Sequence, residues 1–117
     1  KSICGEIAMP LLEASGTQTT SINTEHILHT SAHSKTFVLY VDMINMQPGD
    51  VVELRAYTAV LTGGTMRVLY KETYSDNQDT DDMVKVSLPI SSDISMKFSI
   101  KQTSGTGRAF IWKVLSI

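Results

Sequence analysis

The stretch Val51–Tyr74, VVELRAYTAVLTGGTMRVLYKETY, decides the fold class. From Val51 to Thr62 apolar and polar side chains alternate, with Val52, Leu54, Ala56 and Val60 on one face and Glu53, Arg55 and Tyr57 on the other. From Thr65 to Tyr74 the alternation resumes, with Met66, Val68 and Tyr70 opposed to Arg67, Leu69 and Lys71. A period of two is the mark of a strand, because successive side chains leave opposite faces of the pleat. Gly63-Gly64 separates the two runs. The tight turns that match strand twist need positive φ at one or both central residues, which glycine adopts without strain. The segment is therefore predicted to be a β-hairpin.

The same period runs outward in both directions. Lys35–Met46, KTFVLYVDMINM, places Phe37, Leu39, Val41 and Met43 on one face and Val38, Tyr40, Asp42 and Ile44 on the other, so both faces are partly apolar. Gln47-Pro48-Gly49-Asp50 reads as a turn. Downstream, Ser75–Asp82 (SDNQDTDD) is a polar acidic loop, and Met83–Leu88 is a short strand closed by Pro89. Ser95–Thr103 points Met96, Phe98 and Ile100 inward. Ser104-Gly105-Thr106-Gly107 turns the chain into Arg108–Ile117, where Phe110, Trp112 and Val114 share a face, so these last two strands are expected to form a second hairpin. Upstream, Ile22–Thr30 reads as a further strand. Residues 1–21 read as an N-terminal arm or loop segment, Pro10 interrupting any helix there. The expectation is an all-β, antiparallel, jelly-roll-like sandwich over residues 22–117, with about six to eight strands.

Composition narrows the function. With 117 residues, a net charge of −2, 42% hydrophobic and 19% charged residues, the chain makes one ordinary globular domain. That charge balance lacks the basic excess of a duplex-DNA binder. No apolar run approaches the roughly 20 residues of a membrane helix. Residues 1–16 lack an uninterrupted apolar core, so no secretory signal is expected. The single cysteine, Cys4, excludes an internal disulfide framework.

Motifs for chemistry are sparse. His26, His29 and His33, beside Glu25, are ligand types for zinc, but residues three apart on a regular strand point to opposite faces, and exposed strand and loop histidines are the plainer reading. Asp76, Asn77, Asp79, Asp81 and Asp82 offer oxygens of the kind calcium takes, without the spacing of an EF-hand. Ser104-Gly105-Thr106-Gly107-Arg108 lacks the lysine and following helix of a phosphate loop and reads as a turn. Cys4 is remote from any preorganised partner, and no pair of carboxylates stands out. Neither catalytic residues, cofactor nor metal is expected, and the chain is not expected to be an enzyme. Among the aromatics, Trp112 and Phe98 read as core, with Tyr40, Tyr70 and Tyr74 ringing it. Tyr57, sharing a face with Glu53 and Arg55, is the best candidate for a contact residue.

Phe37–Asp42, Met46-Gln47-Pro48-Gly49-Asp50, Gly63-Gly64-Thr65 with Arg67, and Ile100–Arg108 leading to Trp112-Lys113-Val114-Leu115 together carry a resemblance. Over about two-thirds of its length the chain resembles small β-rich proteins encoded among the virion structural genes of tailed bacteriophages, most closely head decoration (cement) proteins. The resemblance implies a structural role on the capsid surface of a virion, with the major capsid protein as partner and no nucleic acid or membrane. A homotrimer whose N-terminal arm and one sheet face bind the capsid is the corresponding expectation. The competing class is a carbohydrate- or receptor-binding module of a tail or surface fibre, using exposed tyrosines and calcium in the Asp76–Asp82 loop.

Overall fold

The computed structural model describes residues 10–117. These residues form nine strands and no helix: β1 (Leu11–Thr19), β2 (Glu25–Ser31), β3 (Lys35–Asp42), β4 (Val51–Thr58), β5 (Arg67–Ser75), β6 (Val84–Val86), β7 (Ile90–Ser92), β8 (Met96–Ser104) and β9 (Ala109–Ser116). One sheet runs β1-β9-β3-β6, with β7 also paired to β3, and the other runs β2-β8-β4-β5. Every pairing is antiparallel. Strands β6 and β7 lie in line along β3, opposite Tyr40–Asp42 and Lys35–Phe37. Between them Ser87 spans the gap, its N–H donating to Leu39 O and its hydroxyl accepting from Leu39 N, both at 2.9 Å. Pro89, which has no N–H to give a ladder, lies in the break immediately before β7.

Counted as one broken strand, β6 and β7 reduce the set to eight, paired first with last, second with second-last, and so inward to β4 with β5. A long hairpin rolled up in this way is the jelly-roll topology. Its tip is the Val51–Tyr74 hairpin, although β4 ends at Thr58 and residues 59–66 form the loop. The expected second hairpin is not formed: β8 and β9 lie in different sheets, and residues 105–108 carry the chain from one to the other. Of the expected N-terminal arm, residues 11–19 are β1, an edge strand paired to β9; Cys4 and the rest of residues 1–9 lie outside the described residues.

The core lies between the inner faces. Phe37, Leu39 and Val41 of β3, Val52, Leu54 and Ala56 of β4, Met96, Phe98 and Ile100 of β8, and Phe110 and Val114 of β9 are buried, closed at one end by Met43 and Met46. Each large side chain taken fully from water contributes about 1.5–3 kcal/mol. Trp112 packs partly buried against this cluster, beside Gly16, as its core reading requires.

At the end where β3 leaves its sheet, a buried polar network joins the crossovers. The Asp50 carboxylate, 1% exposed, accepts from Gln47 N at 2.9 Å, Thr106 N at 3.1 Å and Arg108 Nε at 2.9 Å. Burial pushes its carboxyl upward, but these donors outweigh it and hold the pKa below the ordinary 3.8. Gln102, fully buried, donates to Ser104 O and Thr106 O and accepts from the Thr20 hydroxyl. Thr20 and Arg108 exchange further bonds, so the β1–β2 and β8–β9 crossovers are stitched together.

Two outcomes follow. Gly49 and Gly105 share nearly the same φ, +91° and +92°, but a Cβ at Gly49 meets open space whereas one at Gly105 overlaps Asp50. Gly49→Ala is expected to cost about 1 kcal/mol from backbone strain alone and Gly105→Ala at least about 2 kcal/mol more, read by chemical denaturation. Because the folded Asp50 pKa is depressed, its stabilisation is complete well above 3.8 and disappears as pH falls through the lowered value. Thermal melts from neutral pH downward should show this acid limb, and Asp50→Asn should flatten it at a cost of about 1–3 kcal/mol.

Candidate functional site

The two outer faces differ in chemistry. On the β2-β8-β4-β5 sheet, register aligns Glu25, Lys101, Glu53 and Thr73 in one row, Ile27, Ser99, Arg55 and Lys71 in the next, and Thr30, Lys97, Tyr57 and Val68 in a third. Both the Tyr57 and Ser99 hydroxyls donate to Glu25 Oε2 at 2.5 Å. Arg55 donates to Glu53 Oε1 through Nη2 at 2.7 Å and Nε at 3.1 Å, and lies 3.6 Å from Glu25. The Lys97 ammonium sits 4.5 Å from the centre of the Tyr57 ring. Burial raises the Glu25 carboxyl, but its hydroxyl donors, Arg55 and Lys97 more than reverse this and hold it below the ordinary 4.5. Tyr57, the expected contact residue, is thus on an outer face as the alternation requires, but its hydroxyl and one ring face are already engaged.

On the β1-β9-β3-β6 sheet the rows read Leu12, Leu115, Val38; then Ser15, Lys113, Tyr40, Val86; then Thr17, Ile111, Asp42, Val84. This face is largely apolar and open: Leu12 is 61% exposed, Ile111 59%, Val84 50% and Val86 47%. A depression of about 360 Å³ lies on it, lined by Tyr40, Val84, Ile111 and Trp112 with Ser15, Asp42 and Lys113. Exposed apolar side chains gathered around a depression make this face the candidate docking surface. The pattern of β3, apolar on both sides, is its signature in the sequence.

Strand edges, by contrast, are blunted. Each long edge strand is interrupted by a register shift: β1 at Leu12/Ala14, β2 at Ile27/His29 and β5 opposite Ala56/Tyr57. The remaining edge is the pair of three-residue strands β6 and β7. Bulges and short strands deny a neighbour a regular ladder to extend.

The bulge in β2 changes the histidine geometry. His26 pairs with Ile100 and His29 with Phe98, two inward positions, so these imidazoles share a face rather than opposing one another as a regular strand would require. His26 Nε2 accepts from Ser21 N, and His33 is exposed in the loop before β3. His29 Nε2 is buried without a hydrogen-bond partner; burial lowers its pKa against the pull of Glu13, which itself holds Lys35 at 2.9 Å and Ser116 at 2.6 Å. In the acidic loop, Asp76 accepts from Gly49 N, Asp79 from Asp81 N, and Asp82 pairs with Lys85 at 3.0 Å. Among the described residues no three His, Cys, Asp or Glu side chains converge as a metal set.

Of the other aromatics, Phe98 is fully buried, and Tyr70 and Tyr74 face inward from β5 against the core edge. Tyr40 lies on the apolar outer face with the Lys113 ammonium 5.1 Å from its ring centre. A feature not anticipated is the pair Val60 and Leu61, 81% and 73% exposed in the β4–β5 loop. Val60 belongs to the inward set only if β4 runs on past Thr58; the strand ends there and Leu61 O instead accepts from Gly64 N at 2.8 Å, closing a turn. The Thr-Gly-Gly that follows is the signal that could have placed them in a loop.

Tyr57→Phe is expected to cost about 1 kcal/mol and to move the Glu25 pKa upward toward 4.5, the first read by denaturation and the second by NMR titration of the carboxyl.

Compared with family models, with curated proteins and with solved structures, this chain matches none.

Proposed function

We propose that this chain is a virion structural subunit, a head decoration protein that binds the lattice of a major capsid protein and stabilises the head. The observation that supports the reading is the contrast between outer faces: one sheet gathers exposed apolar side chains around a depression, the other centres on an ion-paired network, with Ile27 and Val68 exposed only on its two edge strands. A jelly roll with blunted edges and one sticky face is suited to docking by a face without polymerising through its edges. The resemblance of Phe37–Ile117 to virion structural proteins supplies the kind of partner, while the fold by itself supplies none. The mechanism is mass action. A subunit that binds the assembled lattice and not its separated parts stabilises the lattice by its binding free energy. Copies joined as a trimer multiply that effect through effective concentration.

The strip Leu12, Leu115, Val86 and Leu88 is the capsid-facing part on this reading. A glycan-binding module draws less support, because Tyr40, Tyr57 and Tyr74 each have a lysine ammonium over the ring, leaving little free aromatic surface for a sugar to stack on.

Quantitative mass spectrometry of purified particles should find this chain in numbers comparable to the major capsid protein; absence from particles would sink the reading. Adding purified protein to particles stripped of it should restore binding, and Val86→Asp should weaken that binding about tenfold or more, whereas Lys101→Glu on the opposite sheet should leave it nearly unchanged.

A further inference from the structure

We propose that the depression on the β1-β9-β3-β6 sheet is a socket for the Val60–Leu61 turn of a second copy, so that copies associate head to tail. The turn is an apolar projection already in shape. Leu61 and Gly64 close it by a backbone hydrogen bond, and Gly63, at φ +77°, lets the chain reverse. Its base is fixed by Thr58 and Ser95, the Thr58 hydroxyl donating to Ser95 O at 3.0 Å and the Ser95 hydroxyl to Met66 Sδ at 3.3 Å. A projection held rigid loses little entropy on docking, which is what distinguishes an anchor from a floppy loop.

The socket complements it in shape, and its lining holds one carboxylate, Asp42, and one ammonium, Lys113. Its apolar floor is Ile111 and Val84, with Tyr40 beside them under the Lys113 ammonium, and the cavity of about 360 Å³ is within the range of pockets that receive small apolar groups. Arg67 stands at the base of the turn, paired with Thr58, and is exposed; Asp42 lines the socket. Among the described residues neither makes an ion pair. Docking the turn brings the Arg67 guanidinium to the Asp42 carboxylate, which makes no ion pair but accepts from Ile44 N at 3.0 Å, at the rim of an apolar contact.

A chain cannot fill its own socket. Asp42 is at the end of β3 where the chain turns into β4, whereas Thr58 and Arg67 are at the far end of the β4–β5 hairpin. Eight residues of strand at about 3.3 Å each put them roughly 26 Å apart along the strands. Projection and socket are different surfaces, so the contact is heterologous and closes into a ring when its rotation permits, a trimer being the ring that a local three-fold of a capsid accepts. The proposal names a partner for part of the face read above as an assembly surface, and in that sense rests on that reading; the capsid-facing strip is left free.

The test is sedimentation of the full chain and of two variants, each altered at exposed positions that leave the core alone. Wild type should form a concentration-dependent oligomer larger than a dimer. Val60→Asp/Leu61→Asp, with the turn disabled, and Ile111→Asp/Val84→Asp, with the socket disabled, should each weaken association more than about tenfold. Mixed one to one, the two variants should form a heterodimer, because one retains a socket and the other a turn. A wild type that stays monomeric, variants that associate like wild type, or a mixture that stays monomeric would each overturn the proposal. Binding of monomeric protein to stripped particles would leave the decoration reading standing without it, and association of a chain absent from particles would do the reverse.

Discussion

The carboxylate of Asp50 is the constraint on which the rest of the architecture turns. A rolled-up hairpin has a single local pairing, β4 with β5, and every other strand must find a partner far along the chain. The crossovers that change sheets therefore have to be located by something other than a tight turn. Asp50 does this from the first position before β4, gathering the turn at Gln47, the loop at Thr106 and the guanidinium of Arg108 around one buried charge. Such a charge is tolerated only with its donors in place, since an unpaired buried carboxylate is costly. The geometry is therefore close to all-or-none. Gly105 has no room for a side chain against Asp50, and Gly107 none against Thr20 O. The two glycines, the aspartate and the arginine are one device.

That device explains what could and could not be read from the amino-acid sequence. The Val51–Tyr74 hairpin was legible because its information is local: two alternating runs and a glycine pair. So were the inward triplets Met96/Phe98/Ile100 and Val52/Leu54/Ala56, because burial on one face imposes a period of two. Ser104-Gly105-Thr106-Gly107-Arg108 was misleading for the same reason. A glycine-rich stretch between two alternating runs looks alike whether it closes a hairpin or crosses between sheets, and only the distant Asp50 distinguishes the two. Strand β7 was hidden by its length, three residues after Pro89, and β1 by a Ser/Thr-rich composition that suits an exposed edge as well as a loop.

Bulges were the other illegible element, and they matter most where chemistry was sought. One extra residue at Ile27–His29 puts His26 and His29 on one face, reversing the conclusion that regular alternation forces. Another at Leu69 sends Val68 outward and Tyr70 inward, dividing a trio that a regular strand would keep together. The candidate assembly face was half visible: β3 is apolar on both sides, and a strand with both faces apolar is either central to three layers or covered by a neighbour. The depression was not visible, because Tyr40, Ile111 and Val84 meet only through the pairing of three strands that are remote in sequence.

These features bear on one another through the problem of association. On the proposed reading the chain binds copies of itself and a lattice yet stays dispersed beforehand, and such a β-protein cannot leave regular edges open, because edge pairing needs only backbone groups and has no natural limit. Bulges on β1, β2 and β5 and the fragmentation of β6 and β7 close that route at the expense of regular pairing. Face-to-face docking then remains, and it is selective because side chains determine it. Placing the charged network on one face and the apolar surface on the other makes the two faces unlike, so they cannot stack interchangeably. On the proposed reading, an exposed turn at one end of the sandwich and a recess at the other make the contact directional as well. Directionality is what allows a ring to close, and closure is what keeps an adhesive subunit finite.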